Sequence, residues 1–296
     1  MKKQFTYLGL LLAVSIWGSL YVASKFVLAE MNVFLLLFLR FAIAAVILLV
    51  ILRIQKLPKM EKKDYPMIFF IGFCGYFISN GFLLLGIRFS SASVSSIINS
   101  MSPIFITLFA WLLLKEPLTL RRIVAILFSV AGAVVIVGAS TGMKETWGIF
   151  FSVASMLVWS LVLIAIRKIS QKYPPLMITA YGMTIAAVCA LPVAVWFTAH
   201  SPVAFNGPLL LNVLYIGVVC TAFSHFLWNK CLSKMEAGRC AMFYPVQPMV
   251  SAILGCLLLG EKLNVQFVVG SILIIGSLLS GIFPSKREKA KEIPQT

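Results

Sequence analysis

The chain has 296 residues, 61% of them hydrophobic and 11% charged, whereas a soluble domain averages about 45–50% apolar and about 25% charged residues. Nine acidic residues are too few to dress a soluble surface, so a cytosolic enzyme, a secreted disulfide scaffold and a disordered chain are excluded and a polytopic helical membrane protein remains. The net charge of +16 reads as topology rather than nucleic-acid binding, because Lys and Arg gather in the cytoplasmic loops of membrane proteins.

A spanning helix takes about 20 residues, and ten such runs follow one another. They are Phe5–Leu28, Val33–Leu52, Tyr65–Ile87, Ser93–Leu114, Ile123–Ala139, Trp147–Ile166, Leu176–Thr198, Pro208–Cys231, Gly238–Leu259 and Val265–Phe283. The first run is too long for the apolar region of a signal peptide and lacks a clean cleavage site, so it is read as an uncleaved helix. The six cysteines lie in or beside apolar runs without metal-ligand spacing, and read as small packing residues.

Counted on alternate sides of these spans, Lys and Arg number 20 on one side and 3 on the other (Arg88, Lys144, Lys262), with Lys25 and Arg40 inside spans. That bias places the first side, and both termini, in the cytoplasm. An odd number of spans would break the alternation.

The chain also repeats itself. Ser102-Pro103 through Leu114-Lys115-Glu116 matches Gln247-Pro248 through Leu259-Gly260-Glu261 at an offset of 145, which also pairs Ala92 with Ala237 and Asn80 with His225. Near the start, Trp17 pairs with Trp159 and Lys25 with Arg167 at an offset of 142. The expected architecture is therefore an all-α polytopic membrane protein, with ten transmembrane helices as two five-helix repeats, 1–142 and 143–296. Five is odd, so the second repeat enters the membrane inverted. Inverted repeats with a site near the midplane are an architecture of secondary transporters.

With Trp17-Gly18-Ser19, Lys25, Leu39-Arg40-Phe41, Ser91-Ala92-Ser93 and the two Pro-to-Glu blocks, the sequence resembles the EamA-type proteins of the drug/metabolite transporter superfamily from about Leu8 to Ile282. The resemblance implies ten helices and movement of small metabolites or drugs by alternating access. It also implies residence in a plasma (inner) membrane of a bacterial cell.

Charge inside a membrane is costly and usually functional. Lys25 and Arg40 fall at similar depths, roughly 8–12 Å below the turn at Glu30-Met31-Asn32. They are candidates to meet a substrate carboxylate or phosphate, with Arg40 suited to a bidentate contact. The alternative is that both snorkel to the interface, with Glu30 neutralising Lys25. Pro103 and Pro248 are expected to kink their helices and free the carbonyls of Asn99 and Tyr244. Beside those kinks lie Asn99, Ser102, Tyr244 and Gln247, expected to form a polar midplane site; plain interhelical hydrogen bonding is the alternative. Asn80 and His225 join the candidate substrate-binding set. His225 is a candidate carrier of a coupling proton or a neutral hydrogen-bonding residue. Trp17 and Trp159 either wall the cavity or pack helices. Glu116 and Glu261 read as turn residues, and small residues near Gly132 and Gly270 as packing seams.

No nucleotide-binding Gly-rich loop is present, and the single aspartate, Asp64, lies in a loop. No catalysis, cofactor, metal or nucleic-acid partner is expected; the partners are a small-molecule substrate and the lipid bilayer, and an oligomer is not required. The small four-helix multidrug members of the superfamily carry a buried acidic residue in the first helix, which this chain lacks. Two intramembrane cations without a mid-membrane anion favour an amino-acid-like, otherwise zwitterionic, or anionic substrate moved by a secondary exporter. The other readings are an efflux carrier for apolar or cationic drugs, and a membrane receptor or passive channel.

Overall fold

The computed structural model describes residues 3–55, 57, 60–115, 143–241, 243–244, 246–261 and 265–282, with scattered residues between 120 and 135. Among them the regular elements are all helices: α1 (Lys3–Glu30), α2 (Val33–Ile54), α3 (Lys62–Phe89), α4 (Ala92–Ser100), α5 (Ser102–Leu114), α6 (Met143–Ile169), α7 (Pro175–His200), α8 (Gly207–Leu232), α9 (Ala237–Ala241), α10 (Val246–Leu259) and α11 (Val265–Ile282). Among the described residues eight helical runs are long and apolar enough to cross a membrane, with α4–α5 and α9–α10 each counting as one. Their ends differ from the sequence-derived spans by four residues or fewer. The expected fifth span lies largely outside the described residues, as do Glu116 and the carboxyl tail.

Local chemistry sets the helix ends. Asn32 and Asn206 accept the amides of Leu35 (2.8 Å) and Leu209 (2.7 Å), and Ser91 accepts that of Val94 (3.0 Å), each relieving an orphan donor of a first turn. α5 and α10 end at residues in the left-handed region, Lys115 (φ 56°) and Gly260 (φ 65°), which are equivalent positions of the repeat.

The two proline breaks are local. α4 and α5 meet at Met101, and the Ser102 hydroxyl donates to the Asn99 carbonyl that Pro103 frees (2.5 Å). Between α9 and α10 the chain tightens into three-residue hydrogen bonds, with the Gln247 amide on the Tyr244 carbonyl (2.9 Å) and the Tyr244 amide on that of Ala241 (3.0 Å). In a bilayer every backbone group needs a partner, and here the chain supplies it.

α3 and α8 share a feature that periodicity does not reveal. Each widens into a π-helical stretch, Ile71–Ser79 and Ile216–Phe223, beginning at equivalent positions. The longer turn lets a side chain reach five residues back: Asn80 Nδ2 to the Gly75 carbonyl (3.1 Å), and Thr221 Oγ1 to that of Ile216 (2.7 Å). Such bulges recur at functional sites.

α2 packs most extensively on α7, α1 on α10 and α8, and α6 on α3, α4 and α5. Close approach depends on glycine where α1 crosses α10: a Cβ on Gly18 would lie 2.6 Å from Val250 Cβ and 2.8 Å from the Gln247 carbonyl oxygen.

The bundle has two tied ends. At the Glu30 end, Lys25 Nζ donates to the carbonyls of Ile87 (2.8 Å), Arg88 (3.4 Å) and Ser90, while Arg88 donates to that of Leu28 (2.5 Å). Glu261 accepts from the amide of Ala92 (3.0 Å) and from the Ser93 hydroxyl, so it caps α4 rather than serving only as a turn residue. At the opposite end, Arg167 Nη1 donates to the carbonyls of Leu232 (2.9 Å) and Ser233 (3.0 Å). These are the 145-residue counterparts of Ile87 and Arg88. Lys172 there bridges Glu61 (2.8 Å) and Asp64 (2.5 Å). Its bonds hold the Glu61 carboxyl below the usual carboxylate range, and the two carboxylates raise the Lys172 ammonium above its ordinary value.

Candidate functional site

A cavity lies mid-bundle between α1, α3, α4, α6, α8 and the α9–α10 region, with about 400 Å³ of space between atoms, its open mouth included. The structure places Trp17, Asn80, Asn99, Trp159, His225, Tyr244 and Gln247 on its wall. Six of these form three equivalent pairs: Trp17 with Trp159, Asn80 with His225, and Asn99 with Tyr244. The wall also holds Leu20, Tyr21, Ser79, Leu83 and Ser155, which the sequence reading did not single out. Tyr21 was findable as a polar-tipped aromatic one turn beyond Trp17. Leu83 gave no signal, because a leucine in a span looks the same at a cavity as against lipid.

Trp17 is the hub. Its ring lies 4.8 Å from that of His225, 5.1 Å from Trp228, 6.0 Å from Tyr244 and 6.5 Å from Trp159, centroid to centroid. Such offset and edge contacts suit aromatic quadrupoles. Polar tips are mostly tied: Trp159 Nε1 donates to the Tyr244 hydroxyl (2.7 Å), Tyr21 to Gln247 Oε1 (3.3 Å), and Asn99 Nδ2 to the Ser95 carbonyl (3.0 Å). His225 Nδ1 lies 3.3 Å from Trp17 Nε1 and 3.1 Å from the Thr221 carbonyl. One nitrogen cannot serve both: it accepts from tryptophan only when unprotonated and donates to the carbonyl only when protonated.

Other candidates fall elsewhere. Ser102 is spent on the Asn99 carbonyl and does not line the cavity. Lys25 caps the end of α3, and Glu30 accepts from Asn206 Nδ2 (2.8 Å), so the pair does not face the cavity. Arg40, expected either at the ligand or snorkelling, does neither. It is fully buried behind the wall, with Nε donating to Thr221 Oγ1 (3.1 Å). Pro103 and Pro248 set the breaks without lining the cavity. Among the described residues no group of three His, Cys, Asp or Glu is placed to hold a metal.

Against this geometry, the model of the EamA-like transporter family matches the chain twice, at residues 4–138 and 146–281. The chain belongs to the EamA-like transporter family. Its relatives within reach include an uncharacterized transporter of Archaeoglobus fulgidus, 29% identical over 98% of this chain and 100% of the relative. The uncharacterized transporter YetK of Bacillus subtilis is 28% identical over 98% and 91%. The protein WALLS ARE THIN 1 of Arabidopsis thaliana is 25% identical over 78% and 71%. A solved crystal structure at 18% identity superposes with a TM-score of 0.74 over 93% of this chain and 97% of that one, a likeness of fold. In this EamA-like transporter the cavity lies between the two matched halves and draws its wall from both.

The two halves fill their equivalent positions differently. Tyr21, Ser79, Leu83 and Ser155 line the cavity on the Glu30 side of Trp17, whereas their counterparts Leu163, Ser224, Trp228 and Ala13 are buried and do not line it. Trp228 is fully buried where Leu83 has open space beside it, and its ring lies 5.0 Å from Tyr244. The lining therefore reaches further toward the Glu30 end than toward the Lys172 end, where Trp228 fills the position equivalent to Leu83.

Proposed function

We propose that this chain is a secondary transporter that moves small organic metabolites by alternating access, with the Trp17–Trp159 cavity as its substrate site. The observation that carries the reading is the cavity wall itself, built from equivalent positions of both halves, with more of its lining on the Glu30 side of Trp17. A two-sided carrier uses such symmetry because the two ends can exchange roles.

The finer architecture is part of this proposal. Ten spans in two inverted repeats are supported by the double family match, by the paired π-helical stretches, and by Lys25 and Arg167 capping equivalent carbonyls at opposite ends. The charge bias assigns the Lys172 end and both termini to the cytoplasm of a plasma membrane. The substrate class is amino-acid-like or otherwise zwitterionic or anionic, and the direction is export. Aromatic faces with amide groups of Asn80, Asn99 and Gln247 fit a small solute having an apolar body and a polar head.

Counterflow in proteoliposomes tests the reading. Vesicles preloaded with an unlabelled mixture of amino acids and short carboxylates should accelerate uptake of the matching labelled compound. Uptake that is indifferent to preloading means a channel.

A further inference from the structure

Arg40 is fully buried, and its Nη1 and Nη2 have no hydrogen-bond partner. Its remaining contacts are Nε to Thr221 Oγ1 at 3.1 Å and the Phe41 ring, 5.0 Å from the guanidinium carbon to the centroid. A guanidinium keeps its proton in a protein. An uncompensated one in a low-dielectric interior is costly, and no carboxylate is bonded to it among the described residues.

Its position gives the charge a direction. Arg40 lies about 10 Å along α2 from the Glu30 end, near the level of the cavity's open lobe. Tyr21 and His225, both on the wall, lie within electrostatic reach of it, and Thr221 joins it to the helical turn that carries His225. The equivalent position in the second half is Gly182, where the Tyr76 ring takes the space; a Cβ there would lie 2.7 Å from Tyr76 Cε2. The fixed charge is therefore one-sided, on the side where the cavity is open.

We propose that Arg40 is a specificity-determining charge that never touches the ligand: from behind the Tyr21–Thr221–His225 wall it favours solutes bearing a carboxylate or other anionic group and disfavours cations. Burial costs that would be offset by a counterion in the fold are offset instead when an anionic solute occupies the cavity. This rests on the cavity being the substrate site.

The test needs no known substrate. Leu83→Cys in a cysteine-free background places a thiol on the cavity wall. Its rates with anionic sulfonatoethyl and cationic trimethylammonioethyl methanethiosulfonate are measured and their ratio divided by that for free mercaptoethanol. A thiol near a single uncompensated charge should favour the anionic reagent by about tenfold or more. Arg40→Lys should keep the preference, and Arg40→Gln should remove it. Labelling by both reagents with no preference, or a preference unchanged in Arg40→Gln, overturns the role of Arg40 and leaves the cavity as a path. Failure of both reagents to label from either face overturns the cavity reading and this inference with it. Should Arg40→Gln not fold, the ratio is read in Lys25→Gln, which removes the ammonium that caps α3 outside the cavity: a preference that survives supports Arg40, and one that disappears overturns its role.

Discussion

Positions 83 and 228 are counterparts in the two halves, yet Leu83 borders empty space while Trp228 is sealed against Trp17 and Tyr244. The scaffold around them is nearly the same: a π-helical stretch just before each, and a cation, Lys25 or Arg167, capping the same carbonyls just after. The difference teaches that the helix framework is shared, whereas the filling of each lobe is particular to its sequence. A leucine leaves room where a tryptophan closes it. Exchange of the open end would then require the Trp228 ring to leave its slot, which its unpaired Nε1 does not oppose through any hydrogen bond.

The largest predicted effect breaks that comparison. Trp228→Ala should empty a packed site and cost about 3–5 kcal/mol, read as a drop in thermal unfolding temperature in detergent. Leu83→Ala should fall at the bottom of the roughly 2–5 kcal/mol range for such truncations, because its surroundings are already partly empty. Equal losses would mean that the two lobes are equally packed.

The proline breaks offer a second comparison, one carbonyl met by a hydroxyl and the other by an amide. Ser102→Ala should cost about 1–3 kcal/mol by stranding the Asn99 carbonyl. Pro103→Ala added to it should recover part of that loss, since residue 103 regains an amide. A double-mutant cycle in unfolding free energy reads the recovery, and strict additivity contradicts it.

Glycine positions sharpen the account of helix approach. Gly18→Ala should cost about 1–3 kcal/mol through overpacking against α10. Gly207→Ala, with nothing within 4 Å of the added carbon, should leave the unfolding temperature within error.

The smallest effect concerns the tied ends. Lys172 and Lys63 depress the Glu61 carboxyl at one end, while the counterpart tie, Glu30 to Asn206, pairs a carboxylate with a neutral amide. A depressed carboxyl contributes stability above its unfolded pKa and loses it as pH falls through its folded value. Acid should therefore loosen the Lys172 end as pH drops below the ordinary carboxylate range. Protection factors of residues 60–64, which divide out the intrinsic pH dependence of exchange, should fall there in the wild type and fall less in Lys172→Ala, where Lys63 alone still holds Glu61.

Much of this architecture was legible in the chain. Apolar run length located the eight described crossings, because a bilayer leaves few alternatives to a helix of about 20 residues. The repeat offsets singled out Trp17 with Trp159 and Asn80 with His225, and the structure sets these on one wall. Rotation about the helix axis was not legible. Depth along the span put Arg40 level with a site, but only packing against α8 shows that it faces Thr221 instead of the cavity. The π-helical stretches were also hidden, since they depend on tertiary contacts such as Gly72 against α7, where a Cβ would lie 2.8 Å from the Gly182 carbonyl oxygen. Trp228 carried no sign that it would be sealed where Leu83 borders the cavity, because an aromatic residue in a span packs helices as readily as it lines a cavity.

One-sided access is the claim on which the rest depends, and Leu83→Cys measures it directly. In right-side-out vesicles an impermeant thiol reagent should label this position rapidly, and in inside-out vesicles slowly, with Leu163→Cys showing the opposite preference at a lower rate. Equal, rapid labelling of Leu83→Cys from both faces would describe a continuous pore and contradict the account.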